Sequence, residues 1–210
     1  NETQKQQAYE YAKREMDEPI KHAREIQDGK HTRLYFTDGS ALPPEYLKAG
    51  WGMHIQTYHH TNNNPDPNKE NHSGSLGTNI ANDGAELAAI LAALKHAMLH
   101  CKEGDNIHIF PDCQPAIQLA MDGIEQMKSC KTPYWATLKA INKLKLSIRK
   151  KNVRLQWHWI PGHLDTVIPE EEISQWPNGI ADRLAQTAAH PTPNGNVALL
   201  RPYQTIKKTP

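Results

Sequence analysis

Four carboxylates stand where local structure gives them little to do. Asp38 follows the apolar run Leu34-Tyr35-Phe36 in "LYFTDGS", at the end of what reads as a strand. Glu86 lies in the first turn of a helix, among Ala85, Leu87, Ala88 and Ala89. Asp112 falls where the apolar run Ile107–Phe110 turns into a helix, and Asp182 lies near the start of the last helix in "NGIADRLAQTAA". Each has a modest structural role open to it: a turn for Asp38, a helix cap for Asp112, the positive helix end for Glu86. None of these accounts for a carboxylate set among alanines and leucines, since burying such a charge without a partner is costly. Strand ends and helix starts converge at one edge of an α/β sheet, which is where such folds place their sites. Gathered oxygens repel one another unless hard cations such as Mg²⁺ or Mn²⁺ lie among them. Two ions bridged by shared carboxylates stabilise both the attacking and the leaving oxygen of a phosphodiester.

The elements that must position these groups are legible in outline. Residues 1–30 read as a charged helical extension ended by Asp28-Gly29. Residues 32–37 and 47–57 alternate as two strands joined by a Pro-containing loop. The stretch "TYHHTNNNPDPNKENHSGS", 57–75, reads as a polar surface insert, and a short third strand is expected over Ser75–Ile80. An apolar helix over Gly84–Leu99 should be largely buried. A strand at Ile107–Phe110, stopped by Pro111, leads to a helix over Gln114–Met127. Pro133–Lys151 is amphipathic, with Tyr134, Leu138, Ile141, Leu144 and Ile148 on one face and Lys139, Lys143 and Lys150 opposite; Lys145 falls on the apolar side. A strand over Val153–Ile160, a loop over 161–177 and a helix over Asn178–Ala189 complete an α/β pattern with a mixed sheet.

Composition narrows the function classes. The 210 residues suit one domain with extensions, and no apolar run approaches membrane-spanning length, so no membrane association is expected. The polar N-terminus is no secretory signal, and the odd set Cys101, Cys113 and Cys130 favours a reducing, intracellular setting, nucleus or cytoplasm. The start without Met suggests a piece of something longer. Between Gln126 and Leu164 there is no Asp or Glu, while Lys128, Lys131, Lys139, Lys143, Lys145, Arg149, Lys150, Lys151 and Arg154 all fall there. Such uncompensated charge suits phosphates as well as it suits a solvated helix face. His59, His60 and His72 have no cysteine at ligand spacing, so no zinc site is expected from them.

"YFTDGS", "GAELAAILAAL", "FPDCQPAI", "WIPGH" and "NGIADRLAQTAA" occur in an order that resembles a type 1 ribonuclease H domain over about residues 31–190. The flavour is closest to the domains attached to eukaryotic retroelement reverse transcriptases, which implies a larger polymerase as parent. The resemblance implies an α/β ribonuclease H-like fold, a five-stranded mixed β-sheet flanked by α-helices. It divides the chain into the extension 1–30, a ribonuclease H domain 31–191 with the insert 57–75 and a long loop 164–177, and an irregular tail 192–210. It also implies an endonuclease that cuts the RNA strand of RNA–DNA hybrids with two Mg²⁺ ions, or Mn²⁺ in their place, leaving 3′-hydroxyl and 5′-phosphate ends. Asp38 would bridge both ions, Glu86 and Asp112 would hold one, and Asp182 the other.

By the same resemblance His163, in "WIPGH", is the loop histidine that helps protonate the leaving group. Asn82 and Gln114 match positions that contact the substrate backbone and minor groove, and Gly39 and Ser40, directly after Asp38, are expected to bind substrate. Lys139, Lys143 and Lys150 are expected to bind substrate through their charge. The chain departs from the pattern in several places: 19 positions separate His163 from Asp182, the extra loop carries Glu170-Glu171-Glu172, Gly179 stands where the family often has Glu, Pro111 precedes Asp112, and the 57–75 insert is unusually long. The alternative is a catalytically silent module that binds nucleic acid or scaffolds a polymerase. Its mark would be a missing carboxylate, and none is missing.

Overall fold

Five strands form the frame: β1 (His31–Ala41), β2 (Ala49–His59), β3 (Asn68–Leu76), β4 (Asn106–Pro111) and β5 (Arg154–Trp157). They make one mixed sheet in the order β3-β2-β1-β4-β5. The three strands β1, β2 and β3 are antiparallel neighbours, whereas β4 runs parallel to β1 and β5 parallel to β4. The computed structural model describes residues 1–25, 30–42, 48–59, 66–77, 80–122, 134–160 and 168–190. The helices are α1 (Glu2–Glu25), α2 (Asn82–His100), α3 (Gln114–Asp122), α4 (Trp135–Lys150), α5 (Glu170–Ile173) and α6 (Pro177–Ala189).

Because side chains alternate across a strand, β1 feeds two cores at once. Tyr35 points to a cluster with Met53, Ile55, Ile107 and Ile109 from the sheet, covered by Leu87, Ile90 and Leu94 of α2, Ala116 and Ala120 of α3, and Leu138, Ile141 and Ile148 of α4. Leu34 and Phe36 point the other way, to Tyr58, Phe110, Ile160, Met16 of α1 and Ala181 of α6. The helical reading of the N-terminal segment holds, and the structure adds that its inner face is core: Ala12 and Met16 are buried. Helix α6 lies unusually close to β2, since a Cβ on Gly52 would run into the Ala181 carbonyl and the Ala185 backbone.

Several expected boundaries move. Strand β1 does not end at Asp38 but continues to Ala41, paired with β2 as far as Ala49. The polar insert is not wholly a loop: its second half is β3, which spans Asn68–Leu76 in place of the strand expected at Ser75–Ile80. As an edge strand exposed on one side, β3 is held by backbone pairing with β2 and needs little apolar sequence, so periodicity misses it. Strand β5 stops at Trp157, and the loop before the last helix contains the short helix α5. Lys145, set on the apolar side of α4, caps the end of α3 by donating to the carbonyls of Ala120 (2.6 Å) and Met121 (3.0 Å). Cys101 and Cys113 are free thiols. Among the described residues no helix is long and apolar enough to cross a membrane. Residues 124–127, Cys130, His163 and the tail 192–210 lie outside the described residues.

Candidate active site

Asp38 reaches the site because glycine follows it. A Cβ on Gly39 would fall onto the backbone of Ala85 and Glu86, so only glycine lets the start of α2 settle on β1. That contact brings Glu86, one turn into the helix, beside Asp38. On the other side β4, parallel to β1 up to the Thr37–Pro111 pair, delivers Asp112 at the same level. Trp159 steadies this end of β4 by donating from Nε1 to the Asp112 carbonyl at 3.0 Å. One carboxylate oxygen each from Asp38, Glu86 and Asp112 lies within 4.8 Å of the other two.

Asp182 comes from α6 and lines the same cleft, of about 660 Å³, without joining that tight group. It is exposed, and Gln186 one turn on donates to its Oδ2 at 3.1 Å. Its hydrogen bond and charge are nonetheless felt by Asp38 and Asp112, respectively. Thus three of the expected carboxylates converge tightly and the fourth faces them from the rim.

The electrostatics are those of a site prepared for positive charge. Burial first, then the charges of Glu86 and Asp112, push the Asp38 carboxyl well above the usual range. Burial and the Asp112 charge push Glu86 up to about 9. Asp112 is raised too, chiefly by burial. Glu86 Oε2 and Asp112 Oδ1 are buried without a hydrogen-bond partner among the described residues. Oxygens so crowded and unsatisfied could hold a hard divalent cation, and the residues fit the ions that the family resemblance implies.

A stability prediction follows for the metal-free protein. Glu86 binds its proton more tightly folded than unfolded, so it favours the folded state at low pH, and that contribution is lost as pH rises towards about 9. The buried histidines, whose values are lowered from 6.5, oppose this trend only below that value. The melting temperature without metal should therefore fall between about pH 7 and pH 9. Glu86→Gln should flatten the slope, and added Mg²⁺ should flatten it in the parent. Thermal melts across that range check it; parallel slopes for parent and variant would count against the arrangement.

Of the expected substrate contacts, Gly39, Ser40 and Asn82 line the cleft. Gln114 is exposed at the start of α3 and does not line it, and Lys139, Lys143 and Lys150 are exposed on α4, also away from its walls. The sequence reading missed Glu170, Ser174, Asn178, Arg183 and Gln186, which complete the rim. The acidic run at 170–172 was the available signal, but nothing local shows that α5 folds back over the cleft. It is held there by α1: Tyr9 Oη donates to Glu172 Oε1 at 2.9 Å, the Tyr9 and Trp176 rings are 5.7 Å apart, and Ala12 packs with Ile168. This segment also explains Gly179, because a Cβ there would strike the Ile173 carbonyl.

Comparison with known proteins agrees with this architecture. A family model described as RNase H matches residues 30–190. Among solved structures, the crystal structure of LC9-RNase H1, a type 1 RNase H with the type 2 active-site motif, is 17% identical with a TM-score of 0.56, covering 77% of this chain and 73% of that one. The solution structure of the RNase H domain of prototype foamy virus is 23% identical with a TM-score of 0.55, covering 77% of this chain and 96% of that one. The foamy viral protease-reverse transcriptase in complex with RNA/DNA hybrid is 18% identical with a TM-score of 0.52; 77% of this chain is covered but only 20% of that much longer one. No curated protein sequence matches significantly. The match across most of the chain, joined to the mixed sheet and its acidic cleft, places the protein in the RNase H family.

Proposed function

We propose that the protein is a ribonuclease H that hydrolyses the RNA strand of RNA–DNA hybrids in the Asp38–Glu86–Asp112–Asp182 cleft, leaving 3′-hydroxyl and 5′-phosphate ends. The observation that carries this is the convergence of Asp38, Glu86 and Asp112, with buried oxygens that no group among the described residues satisfies. Asp38, Glu86 and Asp112 would hold one Mg²⁺ or Mn²⁺, and Asp38 with Asp182 a second. Such ions supply Lewis acidity that promotes attack by water and offsets charge on the leaving oxygen. The chain's own groups do the rest. Gly39, Ser40 and Asn82 offer backbone and side-chain polar groups to the substrate on one wall, and Arg183 brings a cation to the other. Hybrid is told from DNA duplex through its 2′-hydroxyls in a wide, shallow groove. His163 donates a proton to the leaving oxygen. The basic face of α4 with Gln114 extends the contact along the phosphates, and the salt dependence of hybrid binding measures its share.

Family membership and the reverse transcriptase relative support a parent polypeptide of that kind. The free thiols of Cys101 and Cys113 suit a reducing setting, nucleus or cytoplasm. Labelled RNA–DNA hybrid, double-stranded RNA and double-stranded DNA, each incubated with Mg²⁺ or Mn²⁺, test the proposal. Only the hybrid should be cut, only in its RNA strand, and only with metal. Hybrid bound but uncut would identify a silent module instead.

A further inference from the structure

A second group of metal-ligating side chains lies on the same face of the sheet as α2, far from the acidic cleft. Glu70 and His72 are two apart on β3 and therefore share a face. His96 and His100 are four apart on α2 and share a helix face. The fold presses the two pairs together. Ligand atoms of Glu70, His72 and His96 all lie within 4.8 Å of one another. Glu86 is ten residues earlier on α2, about 15 Å along its axis, so this is a separate place on the molecule.

The buried member of the group points to a ligand. His96 is 2% exposed, and its Nε2 faces the cluster without a hydrogen bond among the described residues, 3.6 Å from Glu70 Oε1. Its other ring nitrogen, Nδ1, is 2.7 Å from the hydroxyl of fully buried Tyr35. With Nδ1–H donating to Tyr35 Oη, the lone pair on Nε2 is turned into the cluster, the orientation that a supporting group imposes on a metal-binding histidine. His72 Nε2 is 3.3 Å from Glu70 Oε1, and the His100 ring lies beside that of His96, tilted by 33° with centroids 4.2 Å apart.

We propose that Glu70, His72 and His96 bind a zinc-class divalent ion, with water or His100 in the fourth position. Two imidazoles and one carboxylate suit Zn²⁺ and disfavour Mg²⁺, which prefers an all-oxygen shell. The ion ties edge strand β3, which has little apolar sequence to hold it, to the C-terminal half of α2. His72 thus finds its partners across the fold, not at the spacing of His59 and His60; His59 instead packs its ring on His31.

Titrating the full 210-residue chain with Zn²⁺ in excess Mg²⁺ tests this. A single Zn²⁺ should be retained and should raise the melting temperature, and Co²⁺ in its place should give the intense visible absorption of a four-coordinate ion. Glu70→Gln with His72→Ala, both toward the sheet edge, should weaken Zn²⁺ more than ~100-fold while keeping the metal-free melting temperature. Asp38→Asn should leave it unchanged, and neither result depends on hybrid cleavage. Failure to hold Zn²⁺ in excess Mg²⁺, retention by the Glu70/His72 variant, or loss in Asp38→Asn would each overturn the proposal.

Discussion

Asp38→Asn should abolish hybrid cleavage while leaving the fold intact, the largest single effect expected in this protein. The substitution keeps the shape of β1 and the acceptor oxygen that now takes a 2.8 Å hydrogen bond from the Gly39 amide. It removes a charge from the tight acidic group, at the position that in the proposed mechanism would serve both ions. Metal-ion stabilisation is worth several kcal/mol, and about 4 kcal/mol corresponds to roughly 10³-fold in rate. Loss of that order or more is expected, with the melting temperature held or raised, because the buried Asp38 carboxyl opposes Glu86 and Asp112 when ionised. Cleavage assays and thermal melts on the same preparation check both halves. A variant that cuts at the parent rate would remove the site; one that is inactive because it is unfolded would show it in the melt.

His163→Ala should be less severe. A positioned general acid contributes about 10²–10⁴-fold, so residual metal-dependent cleavage should stay measurable. The parent rate should fall as pH rises through the histidine range, because protonated imidazole is the donor, and the variant should lose that limb. Rate–pH profiles of the two proteins decide the matter. Equal rates at every pH would make His163 a bystander and leave the carboxylates untouched. The helix α5 inserted between His163 and Asp182 makes the comparison informative, since Tyr9 and Trp176 fix the far end of that segment against α1.

The acidic cluster was legible in the sequence because the telling residues break local rules. Glu86 among alanines and leucines has no reason to be apolar-packed, and it is 3% exposed. Asp38 followed by Gly39, and Asp112 after an apolar strand, mark element ends that a sheet of this type brings together. The apolar strands and α2 were equally plain, since periodicity of buried residues is a local property. What only the tertiary structure decided rests on contacts distant in sequence. Strand β3 is polar and exists because β2 offers it a backbone ladder. The charged helix α1 buries Met16 against Phe36 and Phe110, which no window of its own sequence could show. Asp182 faces the other three carboxylates because glycine in β2 lets α6 lie flat on the sheet. Glu70 and His72 meet His96 only because β3 and α2 share one face, so neither pair alone carried a sign of the other.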